Sequence, residues 1–152
     1  LKHAVENAER IYQERYSLVV DLDATAPVRK IEDLEGMRRL FIEKKPKSMF
    51  SVTPARKNPY FNMVEVGPDG FAVLCKKPAS TVLSRQAAPG VYDMNASIYF
   101  YDRDFLMDHA TRIVFSDRSL IWIMHELSSV DVDTEMDFQF LEFLLAKGLI
   151  LL

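Results

Sequence analysis

The chain alternates between segments with the apolar spacing of helices and short apolar runs that are typical of strands. "AVENAERIYQERY" places Val5, Ala8 and Tyr12 at helical spacing, and "SLVVDLDA" then has the pattern of a short buried strand. The succession continues in "KIEDLEGMRRLFIEK", "KSMFSVTP", "ASIYFY", "DRDFLMDHAT", "SLIWIM" and "TEMDFQFLEFLLAKG". Strands that alternate with helices predict an α/β sheet, and ligands bind such sheets at the carboxyl ends of the strands.

Residues 54–90 interrupt this alternation. The runs "YFNMVEV" and "FAVLC" are typical of strands, and they flank the turn sequence "GPDG". We interpret the segment as a β-hairpin excursion from the main sheet. Its apolar side chains exceed what one isolated hairpin can bury, so we expect the excursion to form the contact of a homodimer.

Composition argues against several classes of partner. The chain has 152 residues, of which 49% are hydrophobic and 27% charged, which is enough for one compact domain with a core. A net charge of −3 argues against a nucleic acid polymer as the partner, because such binding needs clustered Lys and Arg. No apolar run approaches the roughly 20 residues of a membrane span. The single cysteine, Cys75, fits a reducing cytoplasm.

The sequence "SSVDVDTEMDFQF" concentrates acidic residues between an apolar strand and an apolar helix. One explanation is helix capping: Asp133 or Thr134 can cap the helix, and Glu135 and Asp137 suit its positive first turn. Capping does not need Asp131. In an extended D-x-D segment, Asp131 and Asp133 point to the same side and can converge on one hard cation such as magnesium. The spacing alone is compatible with both explanations.

Taken together, three segments resemble one enzyme family. "ATAPVR" at 24–29 stands where that family has Pro-Thr-Ser-Pro-Leu-Arg, and "DVDTEMD" at 131–137 matches its Asp-Ile-Asp-Thr-Glu-Leu-Asp. Between them, "RQ" at 85–86 and "NASIY" at 95–99 match its Arg-Gln and its Asn-Gly-Ala-Ile-Tyr. The order and approximate spacing are kept over nearly the whole chain. The chain therefore resembles the acylneuraminate cytidylyltransferases, also called CMP-sialic acid synthetases.

The resemblance implies a Rossmann-like nucleotidyltransferase fold, a three-layer α/β sandwich with a mixed, mainly parallel sheet and a β-hairpin dimerisation excursion. It also implies a reaction in which CTP and a nine-carbon acidic sugar give a CMP-sugar and pyrophosphate. Such a protein must align the sugar hydroxyl with the α-phosphorus and neutralise growing charge, a task to which Mg²⁺ is suited. By motif match, Asp131 and Asp133 are the expected metal ligands and catalytic residues.

The resemblance also assigns four residues to the sugar site. Asp23 occupies the position of a family glutamine that touches the sugar, although a carboxylate there can instead cap the loop before Pro27. Arg85 matches a family arginine, and a guanidinium can hold a carboxylate through two hydrogen bonds. Asn95 and Tyr99 match a family asparagine and tyrosine that can bond sugar hydroxyls or the N-acyl group. The alternative role for Tyr99 is core packing.

Two departures from the family pattern concern the substrate. Ala96 and Ser97 replace the family's frequent Gly-Ala, and Asp93 stands where some sialic acid enzymes have an arginine. A changed pocket suggests a changed sugar, and "ARKNPYFNMVE" resembles branches that use legionaminic or pseudaminic acid. Arg29, which follows Pro27 closely, is interpreted as a surface cation or as a residue that stabilises the loop.

The family's CTP-binding loop, which is rich in Gly, Arg, Ser and Lys, has no counterpart in the sequence, whose five glycines all lie elsewhere. We therefore expect residues 1–152 to be the C-terminal two-thirds of a single cytidylyltransferase domain, without the N-terminal CTP-binding loop and inactive on its own.

Two other functions are compatible with the sequence. One is a related sugar nucleotidyltransferase such as the CMP-Kdo type, which is distinguished by the sugar that the complete protein turns over. The other is a non-catalytic assembly module, in which the hairpin makes a dimer and the acidic residues only cap a helix. Absence of metal binding at the D-x-D segment would favour the assembly module.

Overall fold

The computed structural model of the protein describes residues 1–77, 88–108 and 114–150. Within these ranges each predicted helix and strand is present, although the strand expected at 60–66 occupies only Val64–Val66, and residues 109–111 of the helix expected at 102–111 lie outside the described residues. The helices are α1 Lys2–Tyr12, α2 Ile31–Lys44, α3 Arg103–Met107 and α4 Glu135–Ala146, with a 3₁₀ helix at Glu126–Ser129. The strands are β1 Leu18–Leu22, β2 Ser48–Pro54, β3 Val64–Val66, β4 Ala72–Leu74, β5 Tyr92–Asp102 and β6 Ser119–Ile123. None of the helices in these ranges is long and apolar enough to cross a membrane.

The main sheet has the strand order β1–β5–β2–β6. β2 pairs with β6 in parallel, and β1 pairs with β5 antiparallel. β5 is also antiparallel to β2, because the C-terminal end of β5 lies beside the N-terminal end of β2, and the N-terminal part of β5 lies beside later residues of β2. At one end, the backbone N–H of Asp102 donates to the carbonyl of Lys47 at 3.0 Å, and farther along β2 the Ser51 hydroxyl meets Asn95.

These strand directions correct one feature of the predicted sheet. The sequence predicted a mixed, mainly parallel sheet, and the sheet is mixed. However, most neighbouring pairs of the described strands are antiparallel, because β5 lies between β1 and β2 and opposes both. α2 is the crossover connection between β1 and β2, which run in the same direction but are separated in the sheet by β5. β5 instead enters the sheet from residues 54–93 and runs the opposite way.

Helices cover both faces of the main sheet. The face under α2 holds the largest buried cluster, which comprises Met37, Phe41, Met49, Ile98, Phe100 and Met124. On the other face, Val5 of α1, Val19 of β1 and Leu106 of α3 form a second buried cluster. Leu18 packs on the first cluster and Val19 belongs to the second, as the alternation of side chains along a strand requires.

The chain divides into two compact units, residues 1–53 with 94–152 and residues 54–93. In the second unit, β3 and β4 form a separate antiparallel sheet. The turn between them closes through a hydrogen bond of 2.9 Å from Gly70 N to the carbonyl of Gly67. Gly70 has a φ of 83°, which glycine adopts without steric cost. Val66 and Phe71 of this hairpin are 75% and 73% exposed, so it presents apolar side chains to its surroundings.

Candidate active site

Four of the site residues that the sequence singled out, Asp23, Asn95, Asp131 and Asp133, lie at one end of the main sheet. Asp23 follows β1, and Asp131 and Asp133 follow the 3₁₀ helix that comes after β6. Asn95 lies near the start of β5, which runs opposite to β1. The carboxyl ends of β1 and β6 therefore meet the beginning of β5, in the position where α/β sheets bind ligands. Arg85 falls within 78–87, outside the described residues.

The N-terminus of α4 is capped by Thr134 and Asp137. The Thr134 hydroxyl accepts from the backbone N–H of Asp137 at 3.3 Å, and the Asp137 carboxylate accepts from the backbone N–H of Thr134 at 2.8 Å. The Thr134 hydroxyl also donates to the Asp137 carboxylate at 2.7 Å, and this hydrogen bond, followed by the one from the backbone N–H of Thr134, lowers the pKa of Asp137. This reciprocal pair is a capping box. The cap is complete without the side chains of Asp131 and Asp133.

Asp131 has a buried carboxylate oxygen that lacks a partner. None of the described residues forms a hydrogen bond to its Oδ1 atom. A buried carboxylate oxygen without a partner is costly, and such positions in native structures are often completed by an ion or water. Asp133, two residues further on, is exposed.

The donor set fits magnesium rather than a metal held entirely by protein. The described residues contain no group of three or more His, Cys, Asp or Glu side chains that could hold a metal ion. Magnesium does not need one, because it is usually bound by one or two carboxylates and completes its shell with water and phosphate oxygens. Asp131, with its unpartnered oxygen, and the exposed Asp133 provide that kind of incomplete site.

The acidic loop is anchored to the loop that follows β1. The backbone N–H of Val132 donates to the carbonyl of Thr25 at 2.8 Å. Below the two loops, a third apolar cluster consists of Val28, Leu141, Leu144 and Ile150, with Leu127, Val130 and Val132 packed against it. The hydrogen bond and the cluster together fix the backbone on both sides of Asp131.

Asp23 takes the loop-capping role that the sequence offered as an alternative. Its Oδ1 atom accepts from the backbone N–H of Thr25 at 3.0 Å and from the Thr25 hydroxyl at 2.9 Å. The same two hydrogen bonds hold the pKa of Asp23 below its ordinary value. The carboxylate is therefore ionised and shapes the loop that supports Val132.

Arg29 stabilises the same loop through backbone carbonyls. Its guanidinium donates to the carbonyl of Ser97 and to the carbonyl of Asp23, each at 2.7 Å. The Ser97 hydroxyl in turn donates to the carbonyl of Ala26 at 3.1 Å. Of the two roles proposed for Arg29 from the sequence, these contacts support loop stabilisation.

Asn95 is 6% exposed, and both ends of its amide have partners. Its Oδ1 atom accepts from the Ser51 hydroxyl at 2.6 Å, and its Nδ2 atom donates to the carbonyl of Ser128 at 2.9 Å. A further contact of Nδ2 reaches the sulfur of Met124 at 3.5 Å. Asn95 therefore connects two strands to the segment just before Asp131.

Tyr99 lies opposite Asp21 in the pairing of β1 with β5. Burial raises the pKa of its phenol, and the negative charges of Asp23, Asp21 and Asp131 raise it further. The phenol is thus protonated at neutral pH and can donate a hydrogen bond. Its ring stacks on Tyr101 at a centroid distance of 6.3 Å, so Tyr99 combines the packing role with a polar group among the acidic residues.

Sequence reasoning missed Ser51, Ser128 and Asp21 as parts of this site. Ser51 and Ser128 are 2% and 5% exposed, and each bonds Asn95 from a segment distant in sequence. The available signal was a serine inside the apolar run "SMFSV", which needs a hydrogen-bond partner once it is buried. Asp21 could have been noticed in the same way, because it is an acidic residue inside the apolar run "LVVDL".

Comparison with known proteins confirms the resemblance to the acylneuraminate cytidylyltransferase family. The chain is 34% identical over 146 residues, 96% of its length, to the "CMP-N,N'-diacetyllegionaminic acid synthase" of Campylobacter jejuni. It is 37% identical over 147 residues, 97% of its length, to the "Post-translational flagellin modification protein B" of Campylobacter coli. The chain spans 60% of the length of each of these relatives. No family model matches the sequence.

Proposed function

We propose that the complete protein containing this chain transfers CMP from CTP to a nine-carbon acidic sugar, releasing pyrophosphate, in a magnesium-dependent reaction. The observation that carries the proposal is the buried, unpartnered Oδ1 atom of Asp131 beside a helix whose cap is already complete. Similarity to a protein named as a CMP-sugar synthase gives this acidic loop its chemical context. Capping leaves Asp131 without a role, and cation binding supplies one.

Asp131 and Asp133 would hold the magnesium ion in this proposal. The bound ion supplies neutralisation of triphosphate charge, which is the main electrostatic requirement of phosphoryl transfer. The chain's own residues hold the backbone that carries the two acids. Thr134 and Asp137 end the loop at the start of α4, and the Thr25 carbonyl accepts from the backbone N–H of Val132 between Asp131 and Asp133.

We propose Asp23, Tyr99 and Arg85 for the sugar site, with Asn95 at its border. The Tyr99 phenol is protonated and lies near the acidic residues, so it can donate to a sugar oxygen or to the N-acyl carbonyl. Arg85 would pair with the sugar carboxylate. Asp23 would act through the loop that it caps. The legionaminic acid type of sugar is favoured, since one relative is named for it.

The finer architecture belongs to the same proposal. Helices on both faces of a mixed sheet are compatible with a Rossmann-like nucleotidyltransferase sandwich. The apolar hairpin of residues 54–93 would form the homodimer contact. The single cysteine fits a protein of the cytoplasm.

A pyrophosphate-release assay on the complete protein tests the proposal. CTP and Mg²⁺ are supplied with N-acetylneuraminic, legionaminic or pseudaminic acid, and with Kdo as the comparison sugar. We expect release with a nine-carbon acid, which stops when EDTA removes the metal and returns when Mg²⁺ is restored. Pyrophosphate release with Kdo and with none of the nine-carbon acids would show that the proposed sugar class is wrong and favour the CMP-Kdo type. Absence of release with every sugar, together with absence of cation binding, would reject the proposal in favour of an assembly module.

A further inference from the structure

A chain of buried polar groups runs from the centre of the main sheet to the acidic loop. The Ser51 hydroxyl of β2 accepts from the backbone N–H of Ile98 at 2.9 Å and donates to Asn95 Oδ1 at 2.6 Å. Asn95 Nδ2 then donates to the carbonyl of Ser128 at 2.9 Å. The side chains of Ser51, Asn95 and Ser128 are at most 6% exposed. Hydrogen bonds in such a setting are shielded from water and hold their geometry firmly.

An irregularity in β5 explains why Ser51 is needed. Ala96 has a φ of 54°, a left-handed conformation that is uncommon for a residue with a side chain. The strand therefore departs from regular pairing between Asn95 and Ile98, as strands do at bulges. The backbone N–H of Ile98 is bonded to the Ser51 hydroxyl. One serine thus satisfies the irregular backbone and orients the Asn95 amide.

The amide of Asn95 has little capacity left for a ligand. An asparagine side chain offers two N–H donors and two acceptor lone pairs. The nitrogen contacts the Ser128 carbonyl and the Met124 sulfur, and the oxygen accepts from Ser51. One lone pair remains. These contacts point to the protein's own backbone as the partner of Asn95.

Asp131 lies between two anchored points of its loop. Three residues before it, the carbonyl of Ser128 is held by Asn95, and one residue after it, Val132 is held by the carbonyl of Thr25. The unpartnered Asp131 carboxylate oxygen therefore belongs to a backbone segment that is fixed at both ends. A metal-binding side chain on such a segment is already held near its binding position. Groups that support a metal site usually contribute in this way.

We propose that Asn95, oriented by Ser51, is a positioning residue that fixes the Asp131 loop for its cation rather than a residue that binds the sugar. The link to the cation rests on the proposed function, whereas the link to the loop rests on the hydrogen bonds alone. Replacing Ser51 tests the positioning role more directly than replacing Asn95, because a side chain that is 2% exposed cannot contact a substrate.

Hydrogen exchange measured on the complete protein tests the structural link. We expect Asn95→Ala and Ser51→Ala to speed the exchange of the backbone amides of Val130 and Val132, while amides of α2 keep wild-type rates. The matched controls are Asn58→Ala and Ser48→Ala. Asn58 is also 6% exposed with its amide bonded, but it lies in the 54–93 unit, and Ser48 is buried at the opposite end of β2. Unchanged exchange in the loop in both test variants would overturn the proposal. Where an alanine variant fails to fold, Ser51→Cys keeps nearly the same volume with a weaker hydrogen bond.

Manganese binding followed by electron paramagnetic resonance tests the functional link with a readout that needs no turnover. Loss of groups that support metal ligands typically weakens metal affinity by roughly 10- to 100-fold. We expect this weakening for Asn95→Ala and Ser51→Ala, with the KM for the sugar unchanged. If Asn95 binds the sugar instead, its replacement raises that KM and leaves manganese affinity intact, which overturns the proposal. A wild-type protein that binds no manganese would refute the proposed metal function, and the exchange result would then decide the positioning role by itself.

Discussion

The indole ring of Trp122 lies directly against Gly36. A β-carbon built on Gly36 would stand 2.4 Å from the Cη2 atom of that ring, a separation that real β-carbons essentially never show. The contact brings α2 onto the sheet beside β6, and the indole nitrogen donates to Asp33 of the same helix at 3.0 Å. Gly36 is therefore present because the helix and the ring approach closely.

Gly36→Ala is expected to destabilise the protein although alanine is the better helix former. In an exposed helix the change would gain about 1 kcal/mol. Here the added methyl group forces the indole or the helix to shift, and overpacking of this kind costs roughly 1–3 kcal/mol, occasionally more, which we expect to exceed that gain. Urea denaturation measures the difference in free energy of unfolding.

Gly90→Ala is the matched control for that experiment. Among the described residues, the nearest atom to a β-carbon on Gly90 is 3.9 Å away, so the same chemical change meets no clash with them. We also expect the cost of Gly36→Ala to shrink when Trp122 is replaced by Phe, because the smaller ring relieves the contact. Equal stability of Gly36→Ala and the wild type would contradict the packing argument.

The Asp137 cap is expected to make stability depend on pH in the acidic range. Hydrogen bonds from Thr134 lower the pKa of Asp137 in the folded state, so its carboxylate stabilises the fold above the ordinary pKa of about 3.9. That contribution is lost as pH falls through the lowered folded-state pKa. The difference in urea midpoint between wild type and Asp137→Asn should be constant near neutral pH and shrink in acid.

Glu142→Gln is the control for the pH experiment, since it removes an exposed charge from the same helix without touching the cap. If the difference in urea midpoint between wild type and Asp137→Asn is as large at the lowest pH as at neutral pH, the charge of Asp137 is irrelevant to this cap.

The elements of the fold could be predicted because apolar spacing reports burial. The apolar run that predicted β2 and the helical apolar spacing that predicted α2 depend only on which side chains are buried. The direction of β5 could not be obtained in this way, since apolar alternation is the same for a strand read in either direction. It is decided by contacts between distant segments, such as the hydrogen bond from Asp102 to Lys47, the contact of Asn95 with Ser51 and the pairing of β5 with β1.

The candidate site could be predicted only where the sequence carried more acid than capping requires. That surplus singled out Asp131, and its role as a cation ligand stays a prediction; one of its carboxylate oxygens is buried without a hydrogen-bond partner among the described residues. The partners of Arg29 and Asn95 could not be foreseen, because they are backbone carbonyls of Ser97 and Ser128, which lie 68 and 33 residues away. Every residue has a backbone carbonyl, so the sequence does not indicate which carbonyl accepts a given hydrogen bond.

The 54–93 unit is expected to carry the homodimer contact. Val66 and Phe71 are largely exposed in a two-stranded hairpin that cannot bury them by itself. Val66→Lys and Phe71→Lys should each shift the complete protein from dimer to monomer in sedimentation velocity at micromolar concentration. Ile42→Lys, which replaces an exposed apolar residue of α2, should leave the dimer intact. A wild-type protein that sediments as a monomer would refute this prediction.

The two roles of the acidic loop can be separated by paired substitutions in the complete protein. Asp131→Asn and Asp133→Asn should each lower turnover by orders of magnitude, because loss of a carboxylate from a cation site removes several kcal/mol of charge stabilisation, and each 1.4 kcal/mol is about tenfold in rate. Their fold should remain intact, since the cap of α4 uses neither side chain. Without metal, Asp131→Asn should be at least as stable as wild type, because a neutral amide replaces a charged carboxylate whose buried oxygen lacks a partner.

Thr134→Ala is the reciprocal variant. It removes the side-chain cap of α4, which should lower the free energy of unfolding by about 1 kcal/mol, while turnover at saturating Mg²⁺ stays close to that of wild type. Urea denaturation and the pyrophosphate-release assay measure the two effects on the same preparations. If the acids only cap the helix, the asparagine variants should behave normally, because asparagine caps about as well as aspartate. Near-normal turnover of both asparagine variants would therefore reject the metal role and leave capping as the reason for the acidic loop.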